Sequence, residues 1–343
     1  MSGRLAFSAR PLTVSRLALT LAALTLLLLL TVLLCAGIGS SSAGLRDLLD
    51  PAGDAAVTIL RLRLPRLLLA AIAGAALGAA GTVFQAVLRN PLADPYILGV
   101  SGGAALGAFA VTVIGLPAQW PLLPVRPIAA FTAAVLTVGF IFVLSSVGGR
   151  LASYPMLLIG VITNTVYLAL ILFIETLVEL TRLHGLRLWM IGTIPVEDYG
   201  VITPAGVTTA LGILLIAAFG RDLNLMSAGE DAARALGVGV ERTRAILVLL
   251  ASLVTAAVVS VTGPIGFVGL IVPHLARILF GPDHRLLVPA AALCGAIFLA
   301  AADTVARTAM SPTELPVGVI TALLGGPLFL WIYRRQRGRT YFE

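Results

Sequence analysis

The sequence predicts an all-α integral membrane protein of about ten transmembrane helices, and three observations carry that expectation. Of 343 residues, 59% are hydrophobic and 11% charged, with a mean hydropathy of +1.04, whereas a soluble domain carries about 25% charged residues. A water-soluble fold of this size could not hide so much apolar surface. The apolar residues come in repeated runs of about 20, the length of a helix crossing the hydrocarbon layer. They do not alternate with polar residues as the strands of a β-barrel wall do. Short breaks rich in Pro, Gly or charge separate the runs.

In chain order, the first run is 17–38, after Arg4, Arg10 and Arg16. It exceeds the roughly 7–15 residues of a secretory leader's apolar core and reads as a retained span. The second, 66–87, is opened by Arg63-Leu64-Pro65-Arg66 and closed by Asn90-Pro91; the third, 97–115, follows Pro95. The fourth and fifth are 127–147 and 156–178, the fifth entered through Ser153, Tyr154 and Pro155. The sixth, 200–219, precedes the polar segment 220–243, and the seventh, 244–262, stops at Gly263-Pro264. The eighth, ninth and tenth are 266–280, 287–305 and 316–333.

Ten crossings place both termini on one side. All 23 basic residues are arginine, and if that side is the cytoplasm, fifteen fall in inner segments and eight in outer ones. This is the asymmetry of the positive-inside rule, so the expected placement is a multi-pass protein of the inner or plasma membrane with N- and C-termini cytoplasmic. The absence of lysine also excludes a function, because a phosphate-binding P-loop needs one. The chain is therefore no ATPase. Cys35 and Cys294 lie in apolar runs, where a thiol behaves as a small hydrophobe, and His184, His274 and His284 show no ligand spacing, so no metal site is expected.

The order helix, Gly/Pro break, helix occurs twice, at 66–115 and 244–280, and Gly-Val-Ile-Thr occurs at both 160–163 and 318–321. Spans two to five and seven to ten then read as an inverted repeat, an arrangement common in transporters. Within the segment at about 221–241, Ser227-Ala228-Gly229-Glu230 has the spacing of a capping box, followed by Asp231-Ala232-Ala233-Arg234-Ala235-Leu236 and a terminating Gly237. A short surface helix is expected, with Leu225, Met226, Ala232 and Leu236 as an apolar patch. The alternative is a connector packed on its own bundle.

The string Asn224-Leu225 with Gly229-Glu230-Asp231-Ala232-Ala233-Arg234-Ala235-Leu236-Gly237 resembles the coupling segment of the FecCD-type ABC transporter permeases. Further blocks follow in order: Arg63-Leu64-Pro65-Arg66, Gln85, Arg89-Asn90-Pro91-Leu92-Ala93, Leu98-Gly99-Val100-Ser101-Gly102-Gly103, Gly263-Pro264-Ile265-Gly266-Phe267-Val268-Gly269-Leu270, Pro273-His274-Leu275-Ala276-Arg277, Asp303 with Arg307, and Leu315-Pro316-Val317-Gly318. The resemblance runs from about 60 to 333. Trp189-Met190-Ile191-Gly192-Thr193 departs from the family's Trp-x-x-Gly-Ser, and Tyr154 is bulkier than the residue expected there.

The resemblance implies a type II ABC importer permease fold forming one transmembrane domain over 1–343. It also implies no catalysis on this chain, with ATP and Mg2+ held by a partner ATPase. Partners would be a second copy or close paralogue, two cytoplasmic ABC ATPase subunits, an extracytoplasmic substrate-binding protein and membrane lipid, without nucleic acid. The cargo would be an iron(III)-siderophore or related metal chelate, with vitamin B12 or haem as alternatives. Asn224, Leu225, Gly229, Glu230, Asp231, Ala232, Ala233, Arg234, Leu236 and Gly237 would form the ATPase-coupling surface. Arg63, Arg66 and Arg307 would receive carboxylates of the binding protein, as planar guanidinium groups do well; the competing account is an intrahelical pair, since Asp303 stands i, i+4 from Arg307. Asn90, Pro91 and Leu92, with Ser153 and Tyr154, would form the cytoplasmic gate, and Gln85 and Asn164 would line the path. Interhelical hydrogen bonding explains the last two equally well. Two rivals share part of this pattern. An ion-coupled secondary transporter should carry charges at mid-membrane, and a membrane enzyme should show a catalytic cluster.

Overall fold

The structure, a computed structural model, describes residues 12–39, 57–116, 124–147, 150–151, 153–178, 180–311 and 313–336. Its apolar helices are α1 (Val14–Gly37), α2 (Leu64–Val87), α3 (Val100–Ile114), α4 (Val125–Ser145), α5 (Ser153–Leu177), α7 (Tyr199–Ala218), α10 (Val240–Thr262), α11 (Val268–Phe280), α12 (His284–Thr308) and α13 (Val317–Gln336). Each of the ten runs is thus helical. Length divides them, however. Among the described residues, seven are long and apolar enough to cross a membrane: α1, α2 with its leading π-turn Ile59–Arg63, α4, α5, α7, α10 and α12. The apolar stretches Val100–Ile114, Val268–Phe280 and Val317–Leu330 are shorter.

Two elements depart from expectation. Residues 179–199, read as an outer loop, contain α6 (Leu180–Ile191), which buries Leu186 and Trp189. The capping box does not form. Ser227 lies inside α8 (Gly220–Ala228), and Gly229 separates it from α9 (Glu230–Ala235) with φ +149 and ψ 141. That backbone suits glycine and ends the first helix before the serine can cap a second. An antiparallel bridge, Ser146–Val147 with Arg150–Leu151, closes the α4–α5 turn.

Burial falls from centre to rim. In α2, rich in Ala and Gly, most residues are buried, as in α10 and α12, whereas α1, α5 and α7 expose most of their apolar side chains. Small residues allow the close approach, since apolar attraction supplies no net drive between helices in lipid. The tightest seam joins α2 to α12: a Cβ on Gly74 would collide with the Gly295 carbonyl, and one on Gly295 with the Gly74 carbonyl. The repeat is visible as long helix, break, short helix in α2–α3 and again in α10–α11.

Candidate functional site

Three regions carry the sequence-predicted residues. At one end of the seam, Arg66 uses Nε and Nη2 to hold Asp303 at 3.0–3.1 Å, and Nη1 to reach Glu314 at 2.7 Å. Arg307 brings Nε to 3.2 Å from Asp303 and donates Nη2 to Thr304 at 3.2 Å. Its Nε makes no aligned hydrogen bond, so this contact is ionic. Arg63 donates to the Ala36 carbonyl at 3.0 Å and lies within the electrostatic reach of Arg307. Asp303 is fully buried, and Arg63, Arg66 and Arg307 are 5–9% exposed. The i, i+4 pair is therefore present, and Arg66 joins it from another helix.

The predicted coupling segment is α8 and α9. Asn224 faces its own bundle: Nδ2 donates to Asp283 at 2.8 Å, and Oδ1 accepts from the His284 backbone N–H at 2.8 Å. Asp283 caps α12 through the Arg285 N–H. The Arg285 guanidinium, aided by Asn224, pulls its carboxyl down to about 2. Met226 is buried and packs with Ala233 and Val240, so it leaves the expected apolar patch. Leu225 is half-buried, while Asp231, Ala232 and Leu236 remain exposed. Gly237, at φ +86, ends α9 as expected: its N–H bonds the Arg234 carbonyl and that of Val238 bonds Ala233, a Schellman cap. Glu230 joins Arg89, Arg234 and Arg244, and Arg234 also bridges to Asp231 and Glu241.

The break after α2 forms the third region. Its end is also a Schellman cap, Arg89 N–H to Ala86 and Asn90 N–H to Gln85, but the left-handed position holds Arg89 at φ +49 in place of glycine. For a residue with a Cβ this conformation costs about 1–2 kcal/mol. Asn90 Oδ1 accepts from the Leu92 N–H at 2.9 Å, fixing the turn, and Leu92 is 40% exposed. Gln85 is buried and donates to the Leu270 carbonyl, while Asn164 donates to the Tyr96 carbonyl, so both tie elements together. Tyr96 couples the two breaks, its hydroxyl donating to the Ile265 carbonyl at 3.0 Å and accepting from the Ile265 N–H at 2.8 Å. Tyr154 is exposed, and the Ser153 side chain lies outside the described residues. Sequence reasoning did not single out Arg89, Tyr96, Arg244 or Glu314 as site residues. Arg89 alone had a signal, its place beside Asn90-Pro91.

Residues 26–335 match the FecCD transport family. The chain is 40% identical to the hemin transport system permease protein HmuU of Yersinia pestis over 93% of this chain and 96% of that one. It is 43% identical to the cobalamin import system permease protein BtuC of Halobacterium salinarum, over 83% and 75% respectively. A solved metal-chelate type ABC transporter in an inward-facing conformation superposes with TM-score 0.79 at 30% identity, covering 92% of this chain and 99% of that one. PsaBC from Streptococcus pneumoniae shares the fold at TM-score 0.58 and 19% identity, covering 83% and 94%.

Proposed function

Because the chain belongs to the FecCD transport family, the permease subunits of ABC importers, we propose that it carries an iron(III)-siderophore or related metal chelate inward, driven by ATP hydrolysed on a separate subunit. The family match over nearly the whole chain carries this reading. Cobalamin and haem follow as cargo, on the names of relatives. Two copies of this chain, or one with a close paralogue, enclose the path, with both termini in the cytoplasm. Two ABC ATPase subunits, holding ATP and Mg2+, dock on α8–α9, where Asp231, Ala232 and Leu236 are exposed. Asn224 and Met226 support that surface from behind. A substrate-binding protein docks at the other end, near Arg63, Arg66 and Arg307. The half-exposed Glu314, paired with Arg66, suits exchange for a partner carboxylate. Asn90, Pro91 and Leu92 gate the inner end together with Ser153 and Tyr154.

An ion-coupled transporter fits less well, since the membrane-embedded Asp303 is engaged by two arginines near a helix end. The test is uptake of radiolabelled ferric dicitrate, hemin and cobalamin into vesicles holding the chain with its ATPase and binding protein. Uptake of one of them that requires ATP and both partners is expected; uptake by the chain alone would refute the importer. Leu236→Asp should lower ATPase binding by about tenfold, an ordinary effect for an interface anchor, and leave the thermal midpoint of the chain alone unchanged.

A further inference from the structure

We propose that Arg89 is the positioning residue through which the coupling segment moves the gating break, an inference that rests on the importer reading above. One guanidinium reaches both halves of the segment. Arg89 Nη2 donates to the Met226 carbonyl near the end of α8 at 3.1 Å and lies 3.6 Å from Glu230, the first residue of α9. Its backbone begins the break: Arg89 is the left-handed residue of the α2 cap, and Asn90 and Leu92 form the next turn.

The surrounding attachments make this tie a lever. Asn224 fixes α8 to the start of α12 through Asp283 and His284. Arg244 of α10 holds Glu230. The glycine seam locks α2 to α12. The segment, α2, α10 and α12 therefore hang together, and the break starts at Arg89 with the half-buried Asn90 and Pro91 and the exposed Leu92. At its far side Tyr96 grips Ile265 in the second break, so a rotation starting at Arg89 is passed to both breaks.

The strained backbone is the independent clue. A Schellman cap takes glycine at this position with no penalty, and arginine is kept there at a cost. Strain held at such a place marks a side chain in use. Helix termination alone would be served better by glycine.

That contrast supplies the test. Arg89→Gly relieves the backbone, preserves the cap and removes only the tie, so folding is not at risk. The full complex, two copies of this chain with the ATPase, is assembled with a nitroxide on Leu92→Cys in a background where Cys35 and Cys294 are alanine. The distance between the two labels is read with and without ATP–vanadate. Without the Arg89 substitution a nucleotide-dependent change is expected; with Arg89→Gly the ATPase should still bind and hydrolyse ATP while the change at Leu92 disappears. A retained change in Arg89→Gly overturns the proposal. So does loss of ATPase binding, which would make Arg89 part of the docking surface. If the chain with Arg89 intact binds no ATPase, the importer reading fails first and this inference with it.

Discussion

At the scale of single residues, Asp303 is the costliest position to disturb. It sits fully buried between Arg66 and Arg307, and breaking a buried pair by removing one partner leaves an uncompensated charge worth about 3–5 kcal/mol. Asp303→Ala should therefore lower the thermal midpoint of the detergent-solubilised protein sharply, whereas Glu314→Ala, at a half-exposed position, should change it by about 1 kcal/mol or less. Asp283 gives a pH-dependent counterpart outside the spans. Its folded value, about 2, lies below the ordinary carboxylate value near 3.9. Its contribution is thus fully present above about pH 4 and is lost as the pH falls toward 2. Hydrogen exchange of α8 should show that loss over that window, and Asp283→Ala should show it already at pH 7. The sequence suggested the Asp303–Arg307 pair through its i, i+4 spacing. It gave no sign of Arg66 or Glu314 as partners, because neither is near in the chain.

At the scale of elements, the α2–α12 seam is the most constrained contact. Backbone meets backbone at Gly74 and Gly295, so no rotamer can make room for a side chain. Gly74→Leu should force the helices apart at a cost of about 1–3 kcal/mol or more, read as a lower thermal midpoint together with loss of uptake. The Ala and Gly of span two favour close packing, but nothing local in the chain names the partner helix. The coupling segment shows the reverse. Its place and its terminating Gly237 were legible, but the Ser-x-x-Glu spacing suggested one capped helix where Gly229 makes two. Capping spacing is local, and the competing demand was tertiary: Met226 turns inward onto Ala233 and Val240, while Glu230 turns to Arg244 and Arg89.

At the scale of the molecule, buried helices at the centre and exposed apolar helices at the rim describe a body whose outer faces meet lipid and, on the proposed reading, a second copy. Native mass spectrometry of the detergent-extracted complex should then find two copies of the 35.5 kDa chain; a single copy would exclude the homodimer. The sequence by itself determined that the chain is a helical membrane protein, where its ten apolar helices lie, where its breaks fall and which family it resembles. Those properties follow from transfer of apolar side chains and from Pro and Gly, which act within a few residues. Only the tertiary structure decided that Gln85 and Asn164 are interhelical ties, that Met226 belongs to the interior, that seven helices have spanning length, and that Arg66 and Arg307 share Asp303. The arginine cluster and the coupling segment lie at opposite ends of α2 and α12, two helices joined by a glycine seam. Such pairings depend on which helices meet, and helices meet by shape complementarity over surfaces far apart in the chain.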